Sequence, residues 1–318
     1  MKASTLDSII FNLLVTACRH KGNLLVRPWW GRLNSAFQAR RRIVRTTIHE
    51  RSALVNFGYT YPVTARLYPN FNNPLLELVH ATYKSKQRSI RLVDVGAAIG
   101  DTVLLVDANC PGMVSEYVCV DGDAEFFEYL KKNLSHLSNV RCILHQLSRS
   151  AGLNPELVRI HVGTASAQGK VNVKTAPLDS VLDSHTVGPV DVLKIDVDGF
   201  DGEVLAGATT ILKNSRPGVI FEWHPILCKQ TGNSWSVAFE ILRQNGYRQS
   251  AWFTKFGTFS HFESLDDISS LRAMAEFCET TTAFSDWHYD VVCLPGDNPT
   301  GLRTIADLAF ARQRKSQF

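Results

Sequence analysis

Two short stretches hold most of the ionisable side chains that could do chemistry. In "LKIDVDGFDGE" Asp196, Asp198 and Asp201 stand at the end of an apolar run, and in "FEWHP" Glu222 and His224 end the next one. A carboxylate or neutral imidazole within hydrogen-bond reach of a hydroxyl can take its proton as the oxygen becomes a nucleophile. On a strand, alternation puts Asp196 and Asp198 on one face, and it puts Glu222 and His224 together in the same way. These four are the candidate catalytic residues. Asp201 is weighed instead as a helix cap, a position that Asp favours. The acids are also hard oxygen ligands of the kind Mg²⁺ takes, but no ligand spacing marks a metal site, so Mg²⁺ is a secondary reading and is not expected. Lys194 is expected to be structural, its charge offsetting the acids beside it.

The other candidate is a turn, "LVDVGAAIGDTV", residues 92–103. A phosphate-binding loop needs G-x-x-x-x-G-K-[ST], and Gly100 is followed by Asp101 and Thr102 with no lysine. A dinucleotide turn needs G-x-G-x-x-G, but Ala98 and Asp101 occupy the second and third glycine positions, and an acid at a helix mouth repels a pyrophosphate. What remains is Asp94 ahead of two glycines four apart. Such a turn presents backbone N–H groups at the carboxyl edge of a sheet, where open α/β folds bind ligands. Gly96 and Gly100 are expected to let a ligand approach the backbone, and Asp94 to point into the site. An acid there suits a cationic amino-acid ligand, and S-adenosylmethionine carries both an ammonium and a sulfonium. Asp121 ends the next apolar run, 25 residues after Gly96, where an acid can accept ribose hydroxyls. Strand alternation favours Asp121 over Asp123. On these residues alone a plain reading stays open, with Asp94 as a cap and the glycines as a tight turn.

The elements that must position these residues follow from periodicity. "PLLELVHATYKS" predicts a helix, "IRLVDVG" a buried strand, "DTVLLVDAN" a helix, "SEYVCVDGD" a strand, "AEFFEYLKKNLSHL" a helix and "NVRCILHQL" a third strand. This alternation predicts a parallel sheet with helices on both faces. Two alternating runs flank "SAQG", a hairpin signal. The series resumes with the strand "DVLKIDVDG", one helix over "DGEVLAGATTILKN" and the strand "PGVIFEWHP". It closes with the helix "SVAFEILRQNGYRQ" and the strands "AWFTKFGTF" and "YDVVCLP", expected to be antiparallel. Residues 46–74 read as extended or looped. Trp223, Trp252 and Trp287 are assigned no role, because core packing is the commoner fate of tryptophan.

With 318 residues, 45% of them hydrophobic, the chain suits one large α/β domain with an extension. The net charge of +4 is concentrated in residues 1–51, where ten Lys or Arg face only Asp7 and Glu50. "NLLVRPWWGRLNSAFQARRRIVR" predicts basic amphipathic helices broken near Pro28 and Gly31. Such a segment packs on its own domain or makes peripheral contact with an anionic membrane. Seven cysteines without a C-x-x-C pair argue against a disulfide framework or a zinc ribbon and favour a reducing cytoplasm. The apolar stretch Ile9–Cys18 is too short to span a bilayer and has no cleavage site after it.

At this point the chain resembles the FkbM-type S-adenosylmethionine-dependent methyltransferases. The matching segments, in order, are "LVDVGAAIGDTV", "VDGDAEFFEYLKKNL", "PLDSVL", "DVLKIDVDGFDGEVLAGATTIL" and "VIFEWHP", and "YTYPVTARLYPNFNNPLLELV" is similar to the lead-in of bacterial members near polysaccharide genes. The resemblance implies a Rossmann-like class I methyltransferase sheet over residues 75–318, behind a basic extension and lead-in over residues 1–74. It implies O-methylation of a sugar, glycolipid or polysaccharide hydroxyl, with S-adenosyl-L-methionine held by Asp94, Gly96, Ala97, Ile99, Gly100, Thr102, Asp121, Gly122 and Leu147. Two departures stand out: Ala98 where the family commonly has Asn, and Asp121-Gly122 where it has Glu-Pro. Nucleic acid is a rival acceptor, supported by the basic arm. Against it, no N-P-P-Y-type motif for a flipped base is present, and nucleic acid is not expected. A non-catalytic membrane-surface adaptor is the third reading. The expected location is cytoplasmic, at the inner membrane face if the basic segment docks there.

Overall fold

The computed structural model describes residues 2–18, 32, 42–159, 165–280 and 287–315. Helix α1 (Thr5–Ala17) starts at Ser4, whose Oγ accepts from the Asp7 N–H at 3.3 Å. Strands β1 (Ile43–Ile48) and β2 (Arg51–Asn56) form an antiparallel hairpin. Helices α2 (Tyr61–Leu67) and α3 (Asn73–Lys86) lead into β3 (Ile90–Val95), α4 (Asp101–Asn109), β4 (Val114–Asp121), α5 (Ala124–Asn133) and β5 (Val140–Leu144). Strands β6 (Gln146–Leu147), β7 (Gly152–Arg159) and β8 (Ala165–Ala176) make a separate small sheet. Then come α6 (Leu178–Ser184), β9 (Val192–Ile195), α7 (Asp201–Ala206), α8 (Thr209–Asn214), β10 (Gly218–Trp223), α9 (Pro225–Gln230) and α10 (Val237–Gln244). The chain closes with β11 (Tyr247–Thr254), β12 (Phe259–Ser264), α11 (Ile268–Thr280), β13 (Tyr289–Pro295) and α12 (Pro299–Lys315).

The main sheet runs β12-β11-β13-β10-β9-β3-β4-β5. From β5 to β10 it is parallel; β13 enters antiparallel between β10 and β11, and β12 pairs antiparallel with β11. Chain order runs outward from β3 in both directions, so the switch point lies between β3 and β9, where an open sheet leaves a crevice at its carboxyl edge. Each face carries one buried cluster. Leu92, Val192 and Ile220 belong to the first, and Val93, Val95, Leu193 and Phe221 to the second. Phe11, Leu14 and Val15 of α1 and Val44, Val55 and Phe57 of the hairpin join the first cluster, so this part of the basic extension shares the core of the sheet.

Several elements differ from the sequence reading. Residues 46–74, expected to be extended or looped, are extended in the β1–β2 hairpin as far as Asn56 but helical in α2 and from Asn73, where α3 begins. The hairpin turns on His49 and Glu50 at φ 45° and 62°, a two-residue geometry usually written with Gly or Asn, so it left no signal. "SAQG" lies inside β8 rather than at the hairpin turn, because β7 ends at Arg159 and β8 begins at Ala165. Gly169 marks a close cross-strand approach instead: a Cβ there would stand 2.0 Å from Glu156 Cγ, beside a register shift at Pro155/Leu157. The single helix expected over residues 201–214 is two, broken where Gly207 packs against Ser148; an added Cβ would meet the Ser148 carbonyl oxygen at 2.5 Å. The expected helices around Pro28 and Gly31 lie outside the described residues. No helix among the described residues is long and apolar enough to cross a membrane.

Candidate functional site

The turn after β3 is built from backbone. Gly96 and Ala97 both donate to the Val120 carbonyl, at 2.9 and 3.2 Å, and Gly100 donates to the Ala97 carbonyl at 2.8 Å. Gly96, Ala98 and Gly100 take φ of 77°, 45° and 87°. A Cβ on Gly96 would stand 1.8 Å from the Asp196 carbonyl oxygen, and one on Gly100 2.9 Å from Leu134 Cγ. The glycines are therefore required by left-handed backbone and by protein neighbours. The side chains of Ala97, Ile99 and Thr102 are buried, so the turn offers its main chain to the crevice.

Asp94 points inward, not into open space. It is fully buried; Oδ1 accepts from Lys194 Nζ at 3.0 Å, and Oδ2 is buried without a hydrogen-bond partner. Burial pushes the Asp94 carboxyl up, opposed by Lys194. Burial works to lower the Lys194 ammonium pKa, but Asp94 and Asp196 overcome it and the net shift is upward. Beside this pair, Tyr59 Oη donates to Asp101 Oδ2 at 2.9 Å, and burial moves the Asp101 carboxyl to about 6.

At the end of β4, Asp121 Oδ2 accepts from the Ala98 N–H and Oδ1 from the Asp123 N–H, both at 2.7 Å. Burial pushes the Asp121 carboxyl to about 7. Gly122 follows it directly, half-buried at this edge. Asp123 caps α5, its Oδ1 accepting from Glu125 and Phe126 N–H at 2.8 and 2.9 Å. His145, just beyond β5, donates its N–H to the Asp121 carbonyl at 2.9 Å, and its Nε2 is buried without a partner. Leu147 ends β6, half-buried against the second cluster.

The acids after β9 are not arranged by strand alternation. The strand stops at Ile195; Asp196 N still donates to the Val95 carbonyl at 3.0 Å, and the chain then turns, with Asp198 at φ 51°. Asp196 and Asp198 therefore do not share a strand face, because the packing of Asp196 on Gly96 ends the strand first. The Asp196 side chain is 45% exposed, and Oδ2 lies 3.5 Å from Lys194 Nζ. Asp201 does not cap α7. It is the first helical residue, buried, with Oδ2 accepting from the Gly199 N–H at 3.3 Å and Oδ1 without a partner. Burial holds its carboxyl well above the usual range.

Glu222 is the next-to-last residue of β10, before Trp223, with Oε1 3.2 Å from His288 Nε2 and Oε2 buried without a partner. In the β10–β13 register it sits opposite Asp290. Burial, reinforced by Asp196, moves the Asp290 carboxyl to about 7, and burial with the surrounding acids raises Glu222. His224 is the N-cap of α9: its Nδ1 accepts from the Leu227 N–H at 3.4 Å, and its ring stacks on His288 with centroids 4.9 Å apart. An Nδ1 used as acceptor leaves the ring proton on Nε2, so in this arrangement His224 is a donor rather than a base. Trp223 and Trp252 are core residues. Trp287 is half-buried at the same edge as Phe256, 6.4 Å away, and Phe256 stacks on Tyr68 at 4.1 Å. Among the described residues no three His, Cys, Asp or Glu side chains converge to hold a metal ion.

The sequence reading missed Tyr59, His145, His288 and Asp290, and used Asp101 only to exclude phosphate ligands. Asp290 left a signal, an acid inside the apolar run "YDVVCLP"; His288 left none.

A mostly parallel sheet with its switch point between the first and fourth strands of the series, an antiparallel strand inserted near one edge, and an acid-lined carboxyl edge define a Rossmann-like methyltransferase fold. The chain matches the Methyltransferase FkbM domain over residues 69–249, more than half its length, and belongs to that family of S-adenosylmethionine-dependent methyltransferases. No curated protein matches the sequence. Solved structures with a similar arrangement include the precorrin-6y C5,15-methyltransferase of Geobacter metallireducens GS-15, at 14% identity and TM-score 0.37, over 73% of this chain and 87% of that one. Methyltransferase FkbM of Methylobacillus flagellatus KT is 13% identical, with TM-score 0.39, over 64% of this chain and 53% of that one, so the match spans about half its length. TrmK of M. capricolum, in complex with S-adenosyl-homocysteine, is 12% identical with TM-score 0.35, over 69% of this chain and 67% of that one.

Proposed function

We propose that the enzyme methylates a hydroxyl of a sugar, glycolipid or polysaccharide precursor, with Asp196 as the base that takes the hydroxyl proton. The observation that carries this reading is the placement of Asp196. Of the acids around the crevice it combines a largely accessible carboxylate with a position at the carboxyl end of β9, anchored on one side by Lys194 at 3.5 Å.

The residues present suit S-adenosylmethionine, which supplies an electrophilic methyl group when bound. Each Asp121 oxygen accepts one backbone N–H and keeps a lone pair for a ribose hydroxyl. The unpartnered Nε2 of His145, next to Asp121, is placed to hydrogen-bond an adenine edge, with Leu147 as apolar cover. The turn at 96–100 offers main chain to the amino-acid part.

Methyl transfer is an in-line displacement, so most of what the protein supplies is placement of the two reactants. Asp196 would take the acceptor's O–H proton, while bound S-adenosylmethionine would supply the methyl group, giving up its methyl carbon–sulfur bond and leaving as the thioether S-adenosylhomocysteine. Glu222, with His288, is proposed to orient a neighbouring hydroxyl, and His224 to donate through Nε2. Tyr68, Phe256 and Trp287 form an aromatic wall suited to the C–H face of a sugar.

Calorimetry with S-adenosylhomocysteine tests the cofactor half, and absence of binding removes it. Mass spectrometry of surface glycans from cells with and without the gene tests the acceptor half: the expected result is loss of one methyl mass, restored by the wild-type chain and not by Asp196→Asn. Unchanged glycan masses alongside intact cofactor binding would reject the glycan and keep the methyltransferase.

A further inference from the structure

Helix α1 is held on its inner face and bare on its outer one. Phe11, Leu14 and Val15 are buried, with Phe11 packed edge-on against Phe57 at 5.1 Å, while Asn12 donates to the Arg45 carbonyl at 2.9 Å. The outer face presents Leu6, Ile9 and Leu13, which are 67%, 55% and 64% exposed. Their spacing of three and four residues makes one stripe along the helix. These are three of the ten large apolar side chains found exposed among the described residues, which is a concentration rather than scatter.

The charge around the stripe has one sign. Asp7, the acid of α1, is turned inward and buried, paired with Arg42 Nη1 at 2.8 Å. Lys2, Arg42 and Arg45 are exposed beside the helix. A two-fold contact between copies would bring two such basic rims together, which is unfavourable. An anionic lipid surface complements both the charge and the apolar stripe.

We propose that the outer face of α1 docks the enzyme on an anionic bilayer, with Leu6, Ile9 and Leu13 entering the headgroup region and Lys2, Arg42 and Arg45 meeting lipid phosphates. This surface is independent of the acceptor assigned above. It requires no spanning helix.

The test is co-sedimentation of the full chain with phosphatidylglycerol vesicles and with phosphatidylcholine vesicles. Binding is expected to the anionic vesicles only. It should fall at least about tenfold in the triple variant Leu6→Ser, Ile9→Ser, Leu13→Ser, since burial of large apolar side chains drives the insertion, and it should be lost in about 1 M salt, where screening is within about 3 Å. All three side chains are exposed, so the variant should melt with the wild type, and S-adenosylhomocysteine binding should be unchanged. No binding of the wild type to anionic vesicles would overturn the proposal, as would equal binding by the triple variant. So would a lipid-free, concentration-dependent dimer that the triple variant abolishes, which would assign the stripe to a second copy of the chain.

Discussion

Lys194 Nζ lies 3.0 Å from Asp94 Oδ1, and both side chains are buried. The two residues face each other in the β3–β9 register, at the switch point of the fold. The same ammonium stands 3.5 Å from Asp196, so one cation joins a buried structural acid to the acid proposed as the base.

Replacing Lys194 with Met should destabilise the protein by about 3–5 kcal/mol, the range for stranding one member of a buried pair. Urea titration should show the loss as a lower midpoint. Adding Asp94→Asn should recover most of it, because no uncompensated charge remains. A Lys194→Met protein as stable as the wild type would mean that the pair contributes nothing to the sheet.

The turn carries a strain that can be released. Ala98 holds φ 45°, a conformation that costs a non-glycine residue roughly 1–2 kcal/mol. Ala98→Gly, or Ala98→Asn with its better tolerance of this region, should raise the melting temperature by about 2 °C. Gly96→Ala should do the opposite and far more strongly, since its Cβ would overlap the Asp196 carbonyl at 1.8 Å. Calorimetric melts of the three variants should therefore fall on both sides of the wild type.

The parts of this arrangement legible in the sequence are those fixed by local pattern. Helix α4 and strand β13 have the bounds their periodicity predicts, because a buried strand is a continuous apolar run and a helix start follows a glycine turn. The end of β9 was not legible. It is set by Asp196 closing on Gly96 from another strand, a tertiary contact that leaves no trace in "KIDVDG". Nor was the facing of Glu222 and Asp290, which depends on β13 entering the sheet between β10 and β11. Asp121 was readable from its position at a strand end, whereas His145 is made notable only by the burial of its unpartnered Nε2.

The Glu222–Asp290 facing has a consequence for pH. The Asp290 carboxyl moves from 3.8 to about 7 in the folded protein, chiefly through burial. Between those values the folded chain holds a proton that the unfolded chain has released, so stability contributed by this group is full below 3.8 and lost as pH rises through about 7. Asp101 and Asp121, moved to about 6 and about 7, act with the same sign. Asp290→Asn keeps the shape and removes the titration. Urea midpoints taken between about pH 5 and pH 8 should fall less steeply in this variant than in the wild type; parallel curves would remove Asp290 from the account.

Asp121 and Asp123 stand two residues apart and should separate cleanly by experiment. Asp123 Oδ1 caps α5 through two N–H groups, so Asp123→Ala should lower stability by about 0.5–2 kcal/mol and leave cofactor affinity intact. Asp121 has both oxygens at the crevice edge, and a hydrogen bond to a charged group is worth about 1.5–3 kcal/mol. Asp121→Asn should therefore weaken S-adenosylhomocysteine binding by roughly tenfold to a hundredfold. Because the Asp121 carboxyl sits at about 7, wild-type affinity should rise as pH passes through neutrality, when the ionised acid becomes the prevailing acceptor for ribose hydroxyls. In Asp121→Asn that rise should be absent. Calorimetry in which Asp123→Ala loses the affinity and Asp121→Asn keeps both affinity and pH dependence would exchange the two roles.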